Sequence, residues 1–297
     1  MTSILVNPSA ITALQSLRKT QNALGTAQRE ISTGLKISSA ADNASTWAIA
    51  ESMKSDKSVL MTISDSLSGA DSTLNVASAA VKSAIDVMNK IKTNVAQGEA
   101  PGADLAKVLT SVQQLGEQLK SVVSSATFTG LNLLDGSSTS PMAFIASYTN
   151  GAGTSDSVVG TVDLALTTLI DGDGGGTGIL EAAQGGNAAA PTNFTALSMA
   201  DLASGTIADT FTNIDKAIAD LTTYGAQIGE TQTRVGQQSD FIKLMNESLT
   251  TGVSSLVDAD MNDVSTRLQA LQTQQQLGVQ SLSIANQNAQ MLLKLFQ

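Results

Sequence analysis

The sequence predicts a mainly α fold: a long antiparallel coiled-coil or helical bundle built from both halves of the chain, with a small β-containing insertion between them. Three observations carry this. Apolar residues recur at alternating steps of four and three through roughly fifty residues in each half, the signature of a coiled-coil seam. Aromatics are 3% of the chain against 42% apolar, so the core must be built from Leu, Ile, Val, Ala and Met, a bundle composition rather than a sandwich one. Both ends also read as amphipathic helices almost without charge. Met1 to Leu17 carries no charged side chain, and Gln269 to Gln297 holds nine Gln, a single Lys and no acidic residue. A solvated helix carries charge on its outer face, so these ends are built to be covered.

Taken in order, the first helix shows a stripe at Ala10, Leu14, Leu17, Gln21, Leu24, Gln28, Ile31 and Leu35. The clearest pattern follows: Ile49, Met53, Asp56, Leu60, Ile63, Leu67, Ala70, Leu74, Ala77, Val81, Ala84, Met88, Ile91 and Val95, apolar except at Asp56. At ~1.5 Å per residue it predicts a rod of roughly 70 Å, stopped by Gly98 and Pro101. A shorter seam, Leu105, Val108, Val112, Leu115, Leu119 and Val122, is close enough to fold back on it. The second half repeats the step from Ile207 through Ile214, Leu221, Ile228, Val235 and Ile242 to Leu256. Steps of 3.5 residues imply left-handed packing. The last helix carries two stripes: Leu268, Leu271, Leu282, Ala285, Ala289, Leu292 and Phe296, and Leu277, Ile284, Met291 and Leu295. A single partner covers one stripe, so a second neighbour is required.

Between the halves the composition changes. No Lys or Arg occurs between Lys120 and Lys216, and Gly136 to Gly205 contains twelve of the 24 Gly, with Pro141 and Pro191. Met142 to Tyr148 and Ser157 to Ile170 read as strands, separated by the Asn150-Gly151 turn signal. The segment reads as a small β-containing insertion at the far end of the bundle.

A net charge of −10 argues against nucleic acid, whose phosphates need a positive surface. The absence of Cys and His removes thiolate and imidazole chemistry, His-based triads and zinc sites with N or S ligands. No apolar run approaches the ~18 residues of a membrane span, so no membrane insertion is expected. The opening lacks the basic and continuous apolar regions of a Sec signal, so if the protein is extracellular it leaves by another route.

Candidate sites are few. Asp171-Gly-Asp-Gly-Gly-Gly176 has alternating carboxylates, but Glu181 comes one residue early for a closing calcium ligand, and the run reads as an acidic turn. Asp258 and Asp260, with Glu230 and Glu247, could be taken for acid–base groups. Exposed helix positions do not raise a carboxyl pKa, and Asp258 and Asp260 read as caps of the last helix. Arg29 and Arg267 stand beside apolar stripes, either snorkelling to solvent or pairing with carboxylates at an interface. Trp47, the single Trp, reads as helix-junction packing. No catalytic, metal or cofactor site is expected.

At Gln28-Arg-Glu-Ile-Ser-Thr-Gly-Leu-Lys-Ile-Ser-Ser-Ala-Ala-Asp-Asn43 the chain resembles the N-terminal signature of bacterial flagellin. Thr2 to Asn7 and Phe128-Thr-Gly-Leu-Asn-Leu-Leu134 are similar to further family motifs. So are Asp258-Ala-Asp-Met261, Leu268 to Leu277 and Ser281 to Phe296. The resemblance implies a structural subunit of the swimming filament, with a terminal coiled-coil domain (1–42 with 257–297) paired along an inner tube, a helical rod (43–135 with 200–256) around it and an outer, surface-exposed insertion (136–199). It implies an inner-core assembly interface at Leu14, Leu17, Leu24, Ile31, Leu35, Leu268, Leu271, Leu277, Leu282, Ile284, Leu292, Leu295 and Phe296. It also implies family-motif polar contacts at Arg29, Asp42, Asn43, Asp258, Asp260 and Arg267.

The implied partners are further copies in a helical homopolymer, the flagellar export apparatus, an export chaperone at the C-terminus, and hook-associated and cap proteins. A hook–filament junction protein and a secreted adhesin using the insertion are the alternatives. The insertion's lack of Lys and Arg gives an adhesin little with which to hold sugars. One departure stands out. The segment an animal innate-immune receptor recognises usually carries two Arg and a Glu, where this chain has Lys90, Lys92 and Thr93. Lys does not reproduce bidentate Arg contacts, so weak or absent activation is expected.

Overall fold

The computed structural model describes residues 7–149, 151, 158–171, 178–181, 193–199, 202 and 207–295, with side chains to residue 287. It contains α1 (Pro8–Thr33), α2 (Ala44–Gly98), α3 (Leu105–Ser125), β1 (Thr127–Phe128), β2 (Leu131–Asn132), β3 (Met142–Thr149), β4 (Val158–Leu164), α4 (Ile207–Val257) and α5 (Met261–Leu295). Two compact units result, residues 1–57 with 247–297, and residues 58–246.

Local chemistry sets the helix ends. The Asn7 side chain accepts the Ala10 N–H at 3.3 Å and Pro8 opens the first turn, where its missing N–H costs nothing. Gly34 closes α1 at φ +72°, its N–H donating to the Glu30 carbonyl at 2.8 Å. Asn43 caps α2 through the Thr46 N–H at 3.2 Å, and Asp104 caps α3 through that of Lys107 at 3.3 Å.

In the 58–246 unit α2 and α4 run antiparallel. The Gln232 amide donates to Asn75, Lys92 pairs with Asp215, and Gly225 faces Val81. The predicted seam of α2 is buried at every position from Leu60 to Val95. Thr73, Ala80 and Val87 are buried as well, so α2 is covered on a second face. The α3 helix folds back as expected: the Ser111 hydroxyl donates to Asn94 at 3.1 Å, and Gly98 lies under Leu105 and Val108.

At the other end of the seam the expectation fails. Ile49 is 53% exposed while Ala50 is 1% exposed. One residue turns a helix by about 100°, and here the buried face has turned toward Ile37 and Val257, with Leu35, Trp47, Val253 and Leu256 around them. Packing at this joint, not the seam, chooses the face.

After α3, Asn132 donates to the Val123 carbonyl at 2.8 Å and accepts the Leu134 N–H at 2.9 Å, turning the chain over the helix end. Thr129 (φ +51°) and Gly130 (φ +83°) make the two-residue turn between β1 and β2. The strands expected in the middle are present: β3 and β4 pair antiparallel from Met142–Leu164 to Thr149–Val158, with a bulge between Ile145 and Ser147. Phe144, Ala146, Val162 and Leu164 face inward. Leu133, Leu134, Leu169, Leu180 and Phe194 form a fully buried group over α3 and α4, linked by Leu169 N–H to Leu134 and Phe194 N–H to Leu180. The fit is tight at Gly116, where a Cβ would lie 2.8 Å from the Phe194 carbonyl oxygen. Tyr224 is buried there, its hydroxyl donating to the Leu133 carbonyl at 3.1 Å. Burial pushes its phenol up to about 12, against an opposing backbone contact at Thr167.

Candidate assembly surface

In the terminal unit α1 and α5 pack against each other antiparallel. The Asn7 side chain donates to the Ala285 carbonyl at 3.0 Å, Leu17 covers Gly278, and Leu35 bridges Asp258. The face α1 turns inward runs through Ala10, Ala13, Leu17, Thr20, Leu24, Ala27 and Ile31, of which Thr20 and Ala27 are the most buried. The sequence stripe had Leu14, Gln21 and Gln28 on this line, and all three are exposed. Small side chains let the two backbones approach, and the Thr20 hydroxyl donates back to the Ser16 carbonyl at 3.1 Å, so it enters the contact satisfied.

On α5 the two stripes separate. Val264 is buried and Leu268, Leu271, Leu282 and Ala285 are half-buried, whereas Leu277 is 62%, Val279 54% and Ile284 54% exposed. Ile11 and Leu14 are exposed on α1. Leu292 and Leu295 lie on the last turns of α5 beyond the described side chains, and Phe296 lies outside the described residues.

A joint beside this pair escaped the sequence. Lys36 N–H and Ile37 N–H donate to the Val257 carbonyl at 2.7 and 3.2 Å, and Ala259 N–H donates to Gly34 at 2.9 Å. These bonds tie the α1–α2 connection to the α4–α5 connection. The signal for it was Gly34 followed by Leu35 and Ile37. Asp42 lies in the same connection and accepts four hydrogen bonds from Ser38 and Ser39. The backbone N–H of Ser38 contributes most to holding its carboxyl below 3.8.

Asp260 caps α5, accepting the Asn262 N–H at 2.9 Å and the Asp263 N–H at 3.4 Å. Asp258, expected to share that cap, instead accepts the Ser254 hydroxyl at the end of α4. It follows the last turn of α4 directly, and its N–H is held by Ser254. Arg267 pairs with Asp263 at 2.7 Å one turn back, and Arg29 donates to Thr26 at 3.4 Å. Trp47 packs at the joint as expected. On α2, Lys90 and Thr93 are exposed, and Lys92 is engaged by Asp215. The Glu181 carboxylate accepts the Asp171 N–H at 2.7 Å, and residues 172–177 lie outside the described residues.

These features define a class: a helical structural subunit whose termini close on each other along one face and leave a second apolar face open. Residues 4–139 match the bacterial flagellin N-terminal helical region, and residues 211–296 the C-terminal helical region. Flagellin C of Rhizobium meliloti (strain 1021) is 37% identical, and the flagellin of Brucella melitensis biotype 1 is 38% identical, each over the whole of both chains. A crystal structure of Bacillus cereus flagellin aligns with 59% of this chain and 86% of its own, at 18% identity and a TM-score of 0.39. The chain belongs to the bacterial flagellin family, and it is a structural subunit of the flagellar filament.

Proposed function

We propose that the outward stripe of α5, with Leu277, Val279 and Ile284, and the exposed Ile11 and Leu14 of α1 form the face on which neighbouring copies pack in the filament. The observation that carries this is the pair of stripes on one nearly uncharged helix: one is covered by α1 and the other is bare. Burying the bare stripe stabilises the polymer by about 25 cal/mol per Å² of apolar surface. Contacts that repeat head to tail without closing produce a helical filament. In this reading residues 1–42 with 257–297 line the inner layer, 43–135 with 200–256 form the rod, and 136–199 face outward. The role is assembly rather than turnover.

The test is polymerisation of purified monomer followed by light scattering and electron microscopy. Ile284→Glu and Leu277→Glu, on exposed positions, are expected to leave monomer helicity unchanged and to abolish filament growth. Normal filaments from the double variant would overturn the assignment.

The same reading places the protein outside the cell after passage through the flagellar export apparatus. An export chaperone on the C-terminal helix covers its bare stripe before assembly, and hook-associated and cap proteins contact the two ends of the filament. It also assigns weak or absent innate-receptor activation to the Lys90, Lys92 and Thr93 segment. No bidentate Arg is presented there, and the Lys92 ammonium is already paired with Asp215. A reporter-cell response to the monomer at the potency of an Arg-bearing flagellin would sink this assignment.

A further inference from the structure

The central segment lacks Lys and Arg of its own, but the fold brings one to it. A cleft of about 330 Å³ lies between the β3–β4 hairpin and α4, and Arg234, Gln237 and Gln238 form its helical wall. Ser147 contributes a hydroxyl from the hairpin, Ala146 and Val162 a small apolar wall, and Gly160 and Thr161 the rest of the strand that borders it. The volume falls at the lower end of ligand-binding clefts, about 300–1,000 Å³, and accommodates one sugar ring with its substituents.

The polar groups of this cleft are unspent. Among the described residues the side chains of Arg234, Gln237, Gln238 and Ser147 make no hydrogen bond or ion pair. Their convergence depends on two irregularities of the hairpin. The bulge between Ile145 and Ser147 re-aims β3 here, as bulges beside binding sites do. Opposite Ser147 stands Gly160, where a Cβ would lie 2.3 Å from the Ser147 hydroxyl oxygen, so only glycine leaves that hydroxyl in place.

We propose that this cleft is a binding site for a carboxylated monosaccharide, a uronic or sialic acid unit of a larger glycan. A lone guanidinium matches one carboxylate bidentately. Phosphate recognition instead gathers several cations, and the cleft has one. The Gln amides and the Ser147 hydroxyl both donate and accept, which suits sugar hydroxyls, and Ala146 and Val162 suit a ring's C–H face.

The test is a titration of the full-length monomeric protein, read by saturation-transfer NMR, with galacturonate, glucuronate, N-acetylneuraminate, neutral galactose, inorganic phosphate and an acidic tetrapeptide. At least one sugar acid is expected to bind saturably and at least tenfold more tightly than galactose. The relative affinities of the two uronates and the sialic acid then identify the glycan source. Arg234→Gln is expected to weaken that binding at least tenfold with unchanged helical circular dichroism, because Arg234 is exposed, and Arg234→Lys to restore only part of it. The proposal is overturned if no sugar acid saturates, if galactose binds equally, if Arg234→Gln has no effect, or if phosphate or the peptide is preferred.

Discussion

At Asp42 the backbone N–H and hydroxyl groups of Ser38 and Ser39 all converge on one carboxylate oxygen, at 3.0 to 3.1 Å. The charged form is favoured because each donor stabilises it. A carboxyl whose folded pKa is depressed stabilises the fold above its unfolded value, and that contribution is lost as pH falls through the folded one. The α1–α2 connection is therefore expected to loosen only in acid below the ordinary Asp range. NMR titration should place Asp42 below 3.8, and Ser38→Ala with Ser39→Ala should move it back up. At Tyr224 the sign reverses. Its phenol, near 10 when unfolded and about 12 when folded, stays protonated in the native state while the unfolded chain ionises. Stability is thus expected to fall as pH rises from 10 toward 12. Tyr224→Phe should abolish that alkaline loss in urea titrations. At neutral pH it should cost about 1–3 kcal/mol, because the buried Leu133 carbonyl loses its donor.

The elements show why a seam read from sequence survives folding in some places and turns in others. Along α2 a line of larger side chains, Leu67, Leu74, Val81 and Met88, alternates with a line of small ones, Ala70, Ala77 and Ala84, all buried. The small line lets neighbouring backbones close in while the large line fills the interior, so deletion from the large line opens a cavity. Leu74→Ala is expected to destabilise the protein by about 2–5 kcal/mol in equilibrium urea unfolding. The terminal helices behave differently. On α1 the inward line shifted to Ala13, Thr20 and Ala27, because close approach rewards small size more than hydrophobicity when each helix is covered on one side only. On α5 the described parts of the two stripes lie on different faces, Leu268, Leu271, Leu282 and Ala285 half-buried and Leu277 and Ile284 exposed. The β3–β4 hairpin was legible from its flanking turn signals, but its bulge was not, because a bulge leaves no mark in alternating hydrophobicity.

For the whole molecule, the sequence by itself determined the helical class, the two long seams with the first one's stop at Gly98 and Pro101, the doubled stripe of α5 and the family. All of these depend on side-chain periodicity along one helix or on contiguous motifs, which are local properties of the chain. Tertiary structure alone decided which residues meet across large sequence separations. It put Ala50 rather than Ile49 at the joint with Val257, gave Lys92 to Asp215, and left Asp258 on Ser254 while Asp260 capped α5. It also carried Arg234 to the β3–β4 hairpin, far earlier in the chain, where the sequence showed a segment without a cation. The physical reason is the same in each case. A helix period specifies which residues share a face, but the choice of partner, and the rotation of that face by a single residue, are settled by packing against elements that sequence spacing does not encode.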